Sequence, residues 1–110
     1  PAYSELQPDL ALLRPRADFY ATSHPEASDV LLVVEVSDTT LEMDRRIKIP
    51  LYARYGIREA WLLDLTRDRL EVYRHPNSEG YRDVRVVERG QPVTAEAFPD
   101  TVLRADEIIG

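Results

Sequence analysis

The most hydrophobic segment of the chain is a continuous run of aliphatic, mostly β-branched residues at positions 30–36, interrupted only by Glu35. Because this run does not alternate between apolar and polar positions, it predicts a central β-strand that is covered on both faces. Residues 7–13 and 59–65 predict two further strands, and the second of these is again largely buried. These segments together indicate a sheet with a well-covered centre.

A helix is predicted between the second and third of these strands. Four apolar residues repeat there at the spacing of one helix face: Met43, Ile47, Leu51 and Tyr55. Thr39 or Thr40 is placed to cap the start of the helix, and Gly56 is placed to end it. Because a proline ring removes a helical hydrogen bond, Pro50 predicts either a kink or two short helices.

The remaining segments predict turns and shorter strands. Residues 14–29 are rich in proline and polar side chains and predict a loop, whereas 66–68 predict a turn into a strand at 69–74. A second turn at 76–80 leads into a half-exposed strand at 81–88, and the tail from 91 to 110 predicts short irregular pieces that cross the sheet. The order of these elements predicts an α/β (α+β) fold in which a mixed sheet packs against at least one helix.

Composition narrows the class of protein. The 110 residues predict a single domain spanning 1–110, and 44% hydrophobic with 31% charged residues is typical of a folded globular chain. No apolar run reaches the roughly 20 residues that a membrane span requires, and no signal peptide is recognisable, so a cytoplasmic location without membrane contact is expected. With no cysteine in the sequence, thiol chemistry is excluded and any metal ligand must be oxygen or imidazole.

The charge pattern favours a local site over a general nucleic-acid-binding surface. A net charge of −6 is unlike that of proteins that coat nucleic acid, yet metal-binding carboxylates also make an active site negative. Of the 14 basic residues, Lys48 is the only lysine and all others are arginine. A single retained ammonium group suggests a position that requires a compact, deprotonatable charge.

Glu35 is anomalous because it lies near the end of the most hydrophobic strand, where an unpaired carboxylate would cost several kcal/mol to bury. Asp9 follows Pro8 at the start of a neighbouring strand, so the two carboxylates could converge. Two carboxylates are a sufficient protein contribution to a Mg²⁺ site, because this cation retains several waters. Lys48 on the following helix could reach the same point and orient or deprotonate a water.

Ordinary structural roles are an alternative for each of these residues. Glu35 could pair with an arginine, and Asp9 could simply begin a strand. Asp44 and Lys48 are four residues apart, which is the spacing of a helical surface ion pair worth roughly 0.3–0.5 kcal/mol. Packing or idle surface positions are expected for the other candidates, namely Tyr52, Tyr55, Trp61, His24 and His75.

A family resemblance favours the catalytic interpretation. It is carried by four motifs, in order and spacing: Pro8-Asp9-Leu10-Ala11, Val34-Glu35-Val36-Ser37-Asp38-Thr39-Thr40-Leu41, Asp44-Arg45 with Lys48-Ile49-Pro50-Leu51-Tyr52-Ala53, and Gly56-Ile57-Arg58-Glu59-Ala60-Trp61-Leu62-Leu63-Asp64. In these motifs the chain resembles the Uma-two family of restriction-endonuclease-like proteins, within the PD-(D/E)XK nuclease superfamily. The resemblance implies a mixed central sheet flanked by helices and a magnesium site formed by Asp9 and Glu35.

The sequence departs from the plain superfamily pattern in one position, since Ser37 stands two residues after Glu35 where a lysine is usual. The resemblance implies that Lys48 on the following helix takes that role. Relatives look longer than this chain, so we expect an N-terminally truncated domain that forms a homodimer.

Two functions follow from these patterns. The first is a Mg²⁺-dependent (or Mn²⁺-dependent) endonuclease acting on DNA, with Asp9 and Glu35 as metal ligands, Lys48 positioning water, and Arg45 or Arg46 contacting phosphate. The second is a non-catalytic binding or assembly module that retains the nuclease fold, associated with mobile elements or toxin-antitoxin systems.

Overall fold

The computed structural model describes residues 3–21 and 24–110. Its strands and α-helices are, in chain order, β1 (Leu10–Leu13), β2 (Val30–Ser37), α1 (Glu42–Arg54), β3 (Glu59–Asp64), β4 (Arg69–Asn77), β5 (Gly80–Glu88), β6 (Pro92–Val93), β7 (Leu103–Arg104) and α2 (Ala105–Ile109). Two 3-10 turns, Tyr3–Leu6 and Ala27–Asp29, precede β1 and β2. The predicted order of strands and helix is confirmed.

Five strands form one mixed sheet in the order β1-β2-β3-β4-β5. The strands β2 and β3 run parallel, because α1 carries the chain back across the sheet between them, and the other neighbouring pairs are antiparallel. Every residue of β2 is buried except Val36, which is half-buried. This confirms the predicted central strand.

Each face of the sheet has its own apolar cluster. The cluster under α1 includes Val33, Tyr52 and Leu62. The opposite face is covered by the tail, whose Val93 and Ala105 pack against β2–β5. Because side chains alternate along a strand, Val33 and Glu35 both point towards α1. Glu35 is therefore directed at the helix and not at the tail.

The face of α1 that packs on the sheet differs from the predicted one. Met43 and Ile47 are 77% and 58% exposed, so the prediction that they belong to the apolar face was wrong. The buried residues of the helix are Lys48, Ile49, Tyr52 and Ala53. The predicted helix is present, but the face that packs on the sheet carries Lys48 and Tyr52, whose polar groups bond to Glu35.

The ends of α1 also correct the predictions. No threonine caps its start: Leu41 holds the N-cap position without a side-chain cap, and the Leu41 N–H donates to Asp38 Oδ1 at 2.9 Å. The helix continues through Pro50 as one element. Gly56, with a φ of 78°, follows the last turn as predicted. In the described ranges no helix is long and apolar enough to cross a membrane.

The boundaries of two strands, β1 and β4, differ by three residues from those predicted. The first strand begins at Leu10 rather than at position 7. The strand β4 extends to Asn77, which leaves a two-residue turn before β5. Asn77 accounts for that short turn, because its Oδ1 accepts hydrogen bonds from the N–H groups of Glu79 and Gly80 at 2.8 and 3.1 Å.

Candidate active site

The fold brings Asp9, Glu35 and Lys48 together. Asp9 lies directly before β1, whose first residue pairs with Val34 of β2. This register places the Asp9 carboxylate beside the end of β2, where Asp9 Oδ2 accepts a hydrogen bond from the Val36 N–H at 2.7 Å. Glu35 points from β2 towards α1, and Lys48 points from α1 towards Glu35. The three side chains therefore meet at one end of the parallel strand pair.

Glu35 is fully buried, and its charge is met by several donors. Lys48 Nζ lies 3.2 Å from Oε1 and 3.1 Å from Oε2, and the Tyr52 hydroxyl donates to Oε2 at 2.5 Å. Burial raises the pKa of Glu35 above its ordinary value, whereas the hydrogen bonds from Tyr52 and Lys48 act in the opposite direction. Glu35 thus has the donors that a buried carboxylate requires.

Lys48 is only 8% exposed and has no ion pair with Asp44. Its ammonium group donates to the Gln7 carbonyl at 3.0 Å as well as to Glu35. Asp44 instead pairs with Arg45 Nη1 at 2.7 Å. The interpretation of Asp44 and Lys48 as a helical surface pair was therefore wrong. The ammonium group thus lies within 3.2 Å of three oxygen atoms, the two carboxylate oxygens of Glu35 and the Gln7 carbonyl.

Arg45 Nε lies among three oxygen atoms of the site. Its distances are 3.4 Å to Asp9 Oδ2, 3.3 Å to Glu35 Oε1 and 3.1 Å to the Val36 carbonyl oxygen. The three oxygens come from the two predicted acidic ligands and from the backbone that follows Glu35. The positively charged guanidinium of Arg45 thus lies close to all three oxygen atoms.

This oxygen set fits a hard divalent cation. Within 3–21 and 24–110, no three side chains of the His, Asp and Glu types are grouped as metal ligands. Magnesium requires fewer protein ligands, because it keeps several waters and takes one or two carboxylates with phosphate oxygens. Asp9, Glu35 and the Val36 carbonyl match that requirement in chemical type and in their convergence on a cation.

Tyr52 is part of this site, although the sequence assigned it to packing. Its ring is fully buried under α1, and its hydroxyl donates to Glu35. Burial and the neighbouring Glu35 carboxylate raise the pKa of the Tyr52 hydroxyl, so it remains a donor at neutral pH. The spacing of four residues between Lys48 and Tyr52 was the available signal, because it places both on the same helix face.

Arg46 contacts a different group of carboxylates. It pairs with Glu71 at 2.8 Å, with Asp64 at 3.0 Å and with Glu42 at 3.1 Å. Leu62 separates this group from the first, since Leu62 is the cross-strand neighbour of both Glu35 and Glu71. Arg45 and Arg46 thus hold two carboxylate groups on the same face of the sheet.

We expect the carboxylates around Arg46, and Glu71 in particular, to make the stability of the protein depend on pH in acid. Burial tends to raise the pKa of Glu71, but hydrogen bonds from Arg46, Tyr73 and Arg69 outweigh it and lower that pKa to about 2 from an ordinary 4.5. Between these values the unfolded chain binds a proton that the folded chain does not. The resulting stability, about 3 kcal/mol, is therefore present above pH 4.5 and is lost as the pH falls towards 2.

The expected result for Glu71→Gln is a loss of about 3 kcal/mol in the free energy of unfolding at pH 7 and a shallower decline in acid. Urea unfolding between pH 7 and pH 2.5 measures both. Glu79→Gln, in an exposed turn, is the matched control. A Glu71→Gln variant with the same acid dependence as the unmodified protein would show that the arginine pairs do not hold Glu71 ionised.

The other candidates from the sequence lie away from the site. Trp61 is buried on the tail face and its Nε1–H donates to Glu59 at 2.9 Å. Tyr55 is half-buried, and His24 and His75 are exposed. His75 Nε2 lies 3.1 Å from Asp83 Oδ2. None of these four contacts Asp9, Glu35 or Lys48 in the part of the chain that the structure describes.

The fold and the site together define a class of protein. A five-stranded mixed sheet with a helix crossing between its two parallel strands is consistent with the restriction-endonuclease-like fold. A family model, Uma2, with the description "Putative restriction endonuclease", matches residues 1–106. The chain therefore belongs to the Uma2 family. Comparisons with curated proteins and with solved structures gave no significant match.

Proposed function

We propose that this chain carries the active site of a Mg²⁺-dependent endonuclease that hydrolyses DNA phosphodiester bonds, with Mn²⁺ as an alternative metal. The observation that carries the proposal is the convergence of Asp9, Glu35 and the Val36 carbonyl on one positively charged nitrogen, beside Lys48. Membership of the Uma2 family supports nuclease activity. The metal dependence and the DNA substrate are part of the proposal.

Asp9 and Glu35 are the proposed metal ligands, with the Val36 carbonyl as a third oxygen. A divalent cation held there supplies charge that polarises the phosphate and acidifies water. Lys48 is buried against Glu35, and its ammonium group is the proposed donor that orients the attacking water. Tyr52 positions the Glu35 carboxylate through its hydrogen bond.

The phosphate contact is assigned to Arg45, whose guanidinium lies at the site and whose side chain is 16% exposed. For Arg46, a role in substrate binding stays a prediction that would require exchange of its pairs with Asp64 and Glu71. The net charge of −6 does not oppose a DNA substrate, because local arginines and the metal determine the potential at the site. A homodimer and a cytoplasmic location also stay predictions.

The non-catalytic module is the second candidate, and one observation favours it. Lys48, Arg45 and Tyr52 already provide donors for Glu35 within the protein. Such a network can stabilise a domain without any metal. In that case the acidic surface would serve a protein partner, and Asp9 and Glu35 would have only structural roles.

A cleavage assay on supercoiled and linear DNA, with RNA as a parallel substrate, tests the proposal. Cleavage is expected with Mg²⁺ or Mn²⁺ and not with EDTA. Asp9→Asn should abolish it, because the amide keeps the shape of the side chain but loses the charge that attracts a divalent cation. Asp38→Asn, just after β2, removes the same charge from an exposed residue outside the site and is the control. Full activity in Asp9→Asn, or none in the unmodified protein, would favour the module.

A further inference from the structure

Arg45 Nε occupies the point that a bound cation would share with the two acidic ligands. It lies 3.3–3.4 Å from Asp9 Oδ2 and Glu35 Oε1, and 3.1 Å from the Val36 carbonyl. Magnesium binds oxygen at about 2.0–2.1 Å and therefore has to approach the same atoms more closely than this nitrogen does. The guanidinium and the metal cannot both occupy the space among these three oxygens.

The position of Arg45 has a clear electrostatic cause. Glu35 is fully buried, and Asp9 lies close enough that its charge opposes ionisation of Glu35. A second carboxylate beside a buried one requires additional positive charge. Lys48 contacts Glu35, whereas Arg45 is shared between Glu35 and Asp9. Arg45 thus supplies a positive charge from within the protein to Asp9 and Glu35, which together form the acid pair.

Arg45 also has a partner outside the acid pair. Its Nη1 donates to Asp44 Oδ2 at 2.7 Å, and the Asp44 side chain is 65% exposed. Rotation about the arginine side-chain torsions can therefore withdraw Nε from the oxygens while the guanidinium keeps its bond to Asp44.

We propose that Arg45 is a built-in counter-cation that competes with the divalent metal for Asp9 and Glu35, and that metal binding moves its guanidinium outward against Asp44. This inference rests on the proposed metal site. In the absence of metal, Arg45 pairs with Asp9 and Glu35. Once the metal is bound, the displaced guanidinium can contact a phosphate group of the substrate. The metal binds only to molecules in which Arg45 has left the three oxygens. The apparent metal affinity is therefore the intrinsic affinity multiplied by the fraction of such molecules.

Calorimetric titration with Mn²⁺, without any nucleic acid, tests the competition. Arg45→Gln removes the charge and the outer part of the guanidinium but retains a polar side chain, and it should bind Mn²⁺ at least about tenfold more tightly than the unmodified protein. Arg54→Gln removes the same charge from the exposed last turn of α1 and should leave the affinity unchanged. Glu35→Gln should weaken binding by more than about 100-fold, which identifies the site.

The outcomes separate the inference from the proposed function. If the unmodified protein and Glu35→Gln bind Mn²⁺ equally or not at all, and Arg45→Gln binds no better, the metal site and the inference both fail. If binding requires Glu35 but Arg45→Gln binds equally or more weakly, only the inference fails. Binding by Arg45→Gln alone would support the inference most directly.

A second measurement keeps the proposal testable should Arg45→Gln not fold. In ¹H–¹⁵N spectra of the arginine Nε–H groups of the unmodified protein, the Arg45 signal should shift on saturation with Mg²⁺ as its bond to the Val36 carbonyl is lost. The Arg58 signal, from a guanidinium paired with Glu96, should stay in place. An Arg45 signal that does not move at saturating Mg²⁺ would overturn the proposal.

Discussion

Lys48→Arg is expected to reduce metal-dependent DNA cleavage by about 10²- to 10⁴-fold, the range that a positioned proton-transfer group contributes. Arginine keeps the positive charge, so a role limited to attracting phosphate would survive in part. Its guanidinium does not deprotonate at working pH, and its planar fork cannot replace a compact ammonium that contacts both Glu35 and the Gln7 carbonyl. Single-turnover cleavage at saturating Mg²⁺ measures the effect.

The burial of Lys48 means that the cleavage experiment needs a control for the stability of each variant. Lys48 is buried, so its substitution affects the stability of the fold as well as the chemistry. Lys48→Met, which leaves Glu35 without its ammonium partner, is therefore expected to cost about 3–5 kcal/mol of unfolding free energy. Cleavage has to be compared under conditions where urea titration shows each variant folded. Retention of most cleavage by folded Lys48→Arg would exclude a proton-transfer role.

Glu35→Gln is expected to weaken Mg²⁺ or Mn²⁺ binding by more than about 100-fold and to abolish cleavage as a consequence. Loss of a partner outside the ligand shell alone typically costs 10–100-fold in affinity, and Glu35 is a proposed ligand. The amide also leaves Lys48 and Arg45 beside a neutral group, which further disfavours a divalent cation. Calorimetry measures the affinity, and the DNA assay measures cleavage.

Glu59→Gln is the matched control for this variant. Glu59 is also fully buried, and it also binds cationic and neutral donors, namely Arg74 Nε at 2.8 Å and Trp61 Nε1 at 2.9 Å. Its substitution should therefore cost comparable stability but leave metal affinity unchanged. Equal metal affinity in Glu35→Gln and Glu59→Gln would contradict the assignment of Glu35 as a ligand and favour the non-catalytic module.

The sheet could be predicted from the sequence because its signals are strong and local. The run at 30–36 has no polar alternation, and it forms the buried strand β2. Glu35 was identifiable as a candidate because a carboxylate in such a run is physically costly. The end of β4 could not be predicted in the same way, since Asn77 shortens the turn through hydrogen bonds that depend on the folded hairpin.

The orientation of α1 could not be predicted, because it is decided by tertiary ion pairs. Apolar spacing favoured the face with Met43 and Ile47, but the buried face carries Lys48 and Tyr52, which bond to Glu35. Satisfying a buried carboxylate outweighs burying the side chains of Met43 and Ile47. The role of Tyr52 was missed for the same reason, since a tyrosine in an apolar face gives no sign of where its hydroxyl points.

The adjacent pair Arg45 and Arg46 fixes the helix against rotation about its own axis. Neighbouring residues point about 100° apart around an α-helix, and here one guanidinium contacts the Glu35 group while the next contacts the Glu71 group on the far side of Leu62. A turn of α1 in either direction would break ion pairs on one side or the other. The outer surface of the helix, with Met43 and Ile47, is therefore free to change or to receive a partner without disturbing the orientation of Lys48 towards Glu35.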